Sequence, residues 1–328
     1  MKSRLVLLSL LLSAVTARAD EGSAREWLER MNQAFHDTSY QGVLIFGNNQ
    51  QWETLEVTHA VIGGVEQEKV RHLTGLPREV IRRGDETYCI HPGEHSQQLS
   101  SSLPVPLQGY AVDADLGNYY DFHLGEASRV AGRFARVLDV MPKDDSRYGY
   151  RLWLDQESAL LLRSELVNQQ HQVLERFQFA DVRIGLTLTA DTFVPQGEGH
   201  PLAEHFVEAQ GPAPEAQPHW LPAWLPGGFE LASAGIIPAA HDLPDETPQP
   251  DSVRLMYTDG LAAFTLFVDP AASDKDDLPE MMSQWGATAA VVRYREQDEV
   301  RYRITAVGEL PPATMTRIAS SVAYHAMP

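Results

Sequence analysis

The chain has 328 residues, with 45 Asp and Glu against 26 Lys and Arg, for a formal charge of -19. So acidic a surface disfavours nucleic acid, and a single cysteine, Cys89, excludes both an internal disulfide and a cysteine-based metal cluster. The length is enough for two domains, each with its own core.

Met1 to Ala19 carries Lys2 and Arg4, an apolar run from Leu5 to Leu12, and then Ala17-Arg18-Ala19. This is the pattern of a cleaved export signal, with a run too short for the roughly 20 residues that span a bilayer. No cysteine follows the run to accept a lipid. Cleavage removes three basic residues, so the mature chain is expected outside the cytoplasm with 23 basic and 45 acidic residues, a charge of -22.

Ser23 and Glu26 form a capping box, and Trp27, Leu28, Met31 and Phe35 make one apolar helical stripe. From Tyr40 the period changes to two. Strands are expected over Gly42–Phe46, Gln51–His59, Val65–Leu73, Arg78–Arg83 and Glu86–Ile90, with hairpin signals at Asn48-Asn49, Gly63-Gly64 and Gly84-Asp85. Cys89 is expected as a buried strand residue. His91 to Gly117 reads as a long polar excursion. The most regular stretch follows, with strands over Tyr120–Ser128, Arg133–Met141, Tyr148–Leu154, Leu160–Val167 and Val173–Ile184. Nine or ten antiparallel strands tend to curl into a barrel or part of one, and the helix is the expected cover for its apolar face.

Prolines accumulate between Pro195 and Pro226 and mark a stiff linker. Trp220 and Trp224 within it are expected to dock on a domain. Beyond lie strands over Phe229–Ala232, Ser252–Thr258, Leu261–Asp269, Thr288–Glu296 and Val300–Gly308, with helices over Leu278–Trp285 and Pro311–Tyr324. The expected domains are a signal at 1–19, a sheet domain at 20–205, a linker at 206–222 and a small α+β domain at 223–328.

A search for catalysis is mostly negative. His91-Pro92-Gly93-Glu94-His95 has the letters of an inverted zinc-protease motif, but Pro-Gly denies the helix that would bring both imidazoles to one face. His200, Glu204 and His205 have the wrong spacing for the other zinc motif, and no nucleophile elbow, phosphate loop or dinucleotide fingerprint is present. No enzyme, cofactor or metal is expected. Two groups remain for binding. An apolar face of Phe134, Leu138, Val140, Leu160, Leu162, Phe177 and Phe179 would line either the core or a ligand cavity. Arg78, Arg82, Arg83, Arg129, Arg133 and Arg136 would form a rim for anionic groups, or else pair with nearby carboxylates on solvated strands.

A resemblance rests on Tyr120-Asp121-Phe122, Gly125-Glu126, Ser128 to Arg133, Pro142-Lys143-Asp144, Arg147 to Tyr150, Leu152 to Asp155 and Leu174 to Phe179. Trp27-Leu28, Tyr40-Gln41-Gly42, Trp224 to Phe229 and Tyr257 to Leu261 extend it over nearly the whole mature chain. In order and spacing these resemble the RseB/MucB family of periplasmic negative regulators of the sigma-E type envelope-stress response. The resemblance implies an α+β protein. Its N-terminal domain would be a LolA/LppX-like curved antiparallel half-barrel covered by helices, and its C-terminal domain small. It also implies a partner, the periplasmic part of an RseA/MucA-type anti-sigma factor, shielded from the site-1 protease and released by lipid or lipopolysaccharide. A homo-oligomer is open, and a periplasmic lipid or lipoprotein carrier is the alternative.

Overall fold

The computed structural model describes residues 24–48, 51–84, 86–90, 116–194, 200–201, 219–237, 251–271 and 279–325. The expected export signal, Ser23, the motif at His91–His95 and most of the Pro-rich linker lie outside them, as does the Cys89 side chain. The chain divides into two compact units, Met1–Lys143 with Gly149–His205, and Asp144–Tyr148 with Phe206–Pro328.

The first unit is one curved antiparallel sheet of eleven strands under a helix. Helix α1 runs over 24–37. Of the expected stripe, Leu28, Met31 and Phe35 are buried, together with Ala24 one turn earlier, while Trp27 is only half-buried beside them. The strands are β1 Tyr40–Asn48, β2 Trp52–Ile62, β3 Val65–His72, β4 Glu79–Arg83, β5 Glu86–Ile90, β6 Tyr120–Val130, β7 Arg133–Pro142, β8 Gly149–Asp155, β9 Leu161–Val167, β10 Val173–Ile184 and β11 His200–Pro201. A short helix α2, Leu116–Tyr119, precedes β6. The spatial order is β11-β5-β4-β3-β2-β1-β10-β9-β8-β7-β6. Two meanders are thus joined by the pairing of β1 with β10. Two-residue turns set the hairpin registers, as where Gly63 and Gly64, both at positive φ, close β2 on β3. At the central seam Gly42 is required by space: a Cβ there would stand 2.4 Å from the Asp181 carbonyl and 2.9 Å from the Phe179 ring.

Following the pairings across the sheet places Phe122, Leu138, Val140, Tyr150, Leu152, Leu166, Phe177, Phe179, Leu44, Val57 and Val70 on one face. All are buried. Helix α1 lies against this face, with the Arg25 guanidinium 5.3 Å from the Phe122 ring centre and the residue after its last turns, Thr38, bonded to His59 of β2. The opposite face carries a row of charged cross-strand neighbours, Asp139, Arg151, Glu165 and Arg176 on β7, β8, β9 and β10, in which Arg151 is ion-paired with Asp139 and Arg176 with Glu165. Elsewhere on the opposite face the single-turn 3-10 segment Ala190–Phe193 packs Phe193 against Ala60 and Ile81.

The second unit is a six-stranded antiparallel sheet of β13 Glu230–Ile237, β14 Ser252–Thr258, β15 Ala263–Pro270, β16 Met281–Trp285, β17 Thr288–Gln297 and β18 Val300–Gly308. Their spatial order is β13-β14-β15-β18-β17-β16. Helix α3, Pro312–Ser321, buries Met315, Ile318 and Ala319 in a core with Leu255, Leu266, Val291, Ile304 and Ala306. Of the expected helix over Leu278–Trp285, Leu278 lies outside the described residues and Met281–Trp285 is instead the edge strand β16, paired with β17 through the Gly286-Ala287 turn. Leu278, Met282 and Trp285 mimic a helical stripe, but in a segment this short an edge strand fits the same residues. The expected helix to Tyr324 ends at Ser321, and β19 Val322–Tyr324 pairs with β12 Trp220–Pro222. That pairing explains the tryptophans in the Pro-rich stretch. Trp220 is buried in the second core, and Trp224 packs beside it under the Arg317 guanidinium, 3.7 Å from the ring centre.

Candidate functional site

Helix α1 and the sheet beneath it enclose the apolar face expected from the sequence. Leu138, Val140, Leu160, Leu162, Phe177 and Phe179 are each at most 1% exposed. Phe177 and Phe179 stand edge to face at 5.4 Å, and Phe177 shares its register row with Ser164, Leu152 and Leu138. Leu160 immediately precedes β9, and Leu162 lies in it where the β8–β9 register shifts between Trp153 and Leu154. Phe134 does not join them. It is 71% exposed, at the hairpin end of β7 opposite Arg129, and strand alternation alone put it with the others.

The six arginines do not gather. Arg82 and Arg83 are on β4, Arg78 just before it, while Arg129, Arg133 and Arg136 flank the β6–β7 turn, and β4 and β7 are separated by six strands in the sheet order. Arg133 holds Asp155 through Nε at 2.6 Å and Nη2 at 3.1 Å and also reaches Glu157. Burial alone would push the Asp155 carboxyl up, but Arg133 and the Ser158 donors outweigh it and hold it below its ordinary value. Arg83 donates to the Phe193 carbonyl, Arg129 to the Gly132 carbonyl, and Arg82 to Glu66. Arg136 is set opposite Ala127 and Leu154. Arg82 and Arg133 thus meet carboxylates, whereas Arg83 and Arg129 bond backbone carbonyls.

One feature absent from the sequence reading is a buried polar cluster on the same face as the apolar set, near the C-terminal end of α1. The β2–β3 register places His59 directly opposite Glu68, and the β3–β4 register places Glu68 opposite Arg82. His59, 2% exposed, directs Nδ1 to the Thr38 carbonyl at 2.8 Å and Nε2 to Glu66 Oε1 at 3.2 Å. Tyr40 stacks on its ring at 5.2 Å. Arg82 reaches Glu66 at 2.7 Å and Glu68 at 3.5 Å, and His36 of α1 approaches Glu66 at 3.4 Å. Burial raises the Glu68 carboxyl to about 7 despite the opposing pull of Arg82, and burial with the Glu68 charge raises the Tyr40 hydroxyl well above its usual range. Burial likewise raises Glu66, but the bonds from Arg82 and His59 prevail and leave it lowered.

Among the described residues no group of three or more His, Cys, Asp or Glu is arranged to hold a metal, and no helix is long and apolar enough to cross a membrane.

Fold and site together define a class: a protein of two sheet units, the larger a curved antiparallel sheet whose apolar face lies under a helix. Residues 23–197 match the family model of the MucB/RseB N-terminal domain, and residues 214–323 that of the MucB/RseB C-terminal domain. The sigma factor AlgU regulatory protein MucB of Pseudomonas aeruginosa is 33% identical over 324 residues, covering 98% of this chain and 96% of that protein. The sigma-E factor regulatory protein RseB of Escherichia coli K12 is 31% identical over 331 residues, with 98% and 96% covered. A crystal structure of MucB in complex with MucA(peri) is similar with a TM-score of 0.73 at 32% identity, over 93% of this chain and all of that one. The chain belongs to the MucB/RseB family.

Proposed function

We propose that the protein is a periplasmic negative regulator that binds the periplasmic region of an RseA/MucA-type anti-sigma factor. Bound, it shields that region from the site-1 protease, and lipid or lipopolysaccharide releases it. The observation that carries this reading is the likeness, over 93% of the chain, to a MucB whose crystal structure is a complex with MucA(peri). Both units match their family models, so the regulator reading uses the whole chain. A carrier reading would need the first unit alone.

What supports a lipid response is the apolar face under α1. An acyl chain of about fourteen carbons placed there would gain roughly 10 kcal/mol gross, at about 0.8 kcal/mol per methylene, before ordering costs. Such a ligand changes partner affinity only by its differential affinity for the free and bound forms. The test is cleavage of a purified anti-sigma periplasmic segment by its site-1 protease. Adding the mature protein in excess is expected to slow cleavage at least tenfold, and lipopolysaccharide to restore it. Cleavage at the same rate with and without the protein would overturn the shielding. Shielding that lipopolysaccharide leaves intact would overturn the release step.

A further inference from the structure

We infer that β16 is a self-pairing edge, at which two copies of the chain join their second units antiparallel across a two-fold axis. Four strands end the two large sheets, β11 and β6 in the first and β13 and β16 in the second. An edge exposes unpaired backbone groups, and proteins blunt it by brevity, proline, charge or a bulge. Strand β11 has two residues, one of them Pro201. Strand β6 carries Asp121, His123, Glu126 and Arg129 and breaks register between Leu124 and Ala127. Strand β13 opens on Glu230 and breaks register between Leu231 and Ser233. Strand β16, Met-Met-Ser-Gln-Trp, has an ordinary strand length, no charge, no proline and an unbroken register with β17. Its Met281, Met282 and Trp285 are 40, 49 and 58% exposed.

The hairpin fixes which backbone groups are free. Gly286-Ala287 is a two-residue turn, so its flanking pair, Trp285 with Thr288, is hydrogen-bonded, and so at every second step are Ser283 with Ala290 and Met281 with Val292. The N–H and C=O of Met282 and Gln284 therefore point away from β17, to a side where no described strand pairs. With the axis at Ser283, two such edges satisfy each other. Met282 then exchanges both bonds with Gln284 of the partner subunit, and Gln284 does the same with Met282 of the partner subunit. The side chains agree with that register. Met281 faces Trp285 of the partner subunit, a thioether against an indole, once on each side of the axis. Glu280 faces Gly286 of the partner subunit, so the pairing opposes no like charges in a chain of formal charge -19. An axis at Met282 would instead set Trp285 against Pro279. The two six-stranded sheets run on as one of twelve.

The pairing is independent of the anti-sigma reading, since it needs only this chain. Its test is sedimentation equilibrium of the full mature protein at micromolar concentrations, where a monomer–dimer equilibrium is expected. Met282→Pro removes a donor that β17 does not use, and is expected to leave the fold intact by circular dichroism while weakening association at least about tenfold. Ser283→Cys reads the register. At the axis the two residues are non-hydrogen-bonded neighbours within disulfide reach, whereas two copies of residue 285, four residues out of register, stand ~13 Å apart. In air the 283–283 disulfide is therefore expected to form at least tenfold faster than the 285–285 disulfide of Trp285→Cys, each identified by mass spectrometry so that Cys89 is told apart. A monomeric wild type would overturn the pairing and leave the edge to an extended segment of another protein. A dimer that Met282→Pro leaves as tight, or equal cross-linking at 283 and 285, would place the contact elsewhere and overturn it too.

Discussion

Replacing Arg147 with Ala is expected to destabilise the second unit by about 3–5 kcal/mol, read as its urea unfolding transition. Arg147 is fully buried and its Nη1 donates to Asp259 Oδ2 at 2.5 Å, in a pair where neither side chain is exposed. Nη2 donates to the Gly227 carbonyl at 2.6 Å and to Asp144 at 3.1 Å, and the guanidinium stands 5.4 Å from the centre of the Phe229 ring. Asp259 in turn accepts from the backbone N–H of Leu261 and Ala262, closing the β14–β15 turn. Truncating the arginine strands a carboxylate in a site shut off from water, and the cost of that charge exceeds the worth of the lost bonds. Arg147→Lys keeps the charge but not the planar fork, and should lose part of this stability. A loss below about 1 kcal/mol for Arg147→Ala would show that the pair is solvated.

Phe177→Ala is expected to cost the first unit about 3–5 kcal/mol, and Phe177→Asp to prevent its folding at neutral pH. The ring is 1% exposed in the middle of the sheet, packed edge to face on Phe179, which itself meets Tyr40 edge on at 6.0 Å. Deleting it opens a cavity among rigid strands that cannot collapse to fill it. A carboxylate there would meet only apolar neighbours along its row, save Ser164. A Phe177→Asp protein that folds normally and keeps its response to lipopolysaccharide would show that Phe177 neither supports the core nor faces the ligand.

Much of the first unit was legible because strand alternation and turn chemistry are local. Val173–Ile184 and Glu86–Ile90 have the bounds expected, and the strands on either side of Gly63-Gly64 differ from expectation only at their ends. The helical stripe of α1 was equally plain, its spacing fixed by the helix itself. Phe134 misled because alternation gives the side of a strand and not where the cover ends. The Met281–Trp285 strand misled because five apolar-rich residues fit both periods. The arginine groups were visible in sequence, but the carboxylate partners of Arg82 and Arg133 lie on other strands and are shown only by the assembled sheet.

The polar cluster was half legible. A two-residue turn at Gly63-Gly64 already places His59 opposite Glu68, and Glu66 and Glu68 fall in phase with the inward Val70. That phase was the available signal: carboxylates in apolar positions of a strand. The role of Thr38 in it was not available, because it depends on where α1 docks. Arg147 and Asp259 are 112 residues apart, and nothing local in either segment announces their pairing.

As proposed, the chain regulates by binding an anti-sigma factor. Titration calorimetry of the mature protein against the periplasmic segment of its cognate anti-sigma factor, at micromolar concentration, tests that claim most directly. Saturable binding at one to one between the chains is the predicted result, weakened when lipopolysaccharide is added first. No heat of binding, confirmed by failure to co-purify, would contradict it.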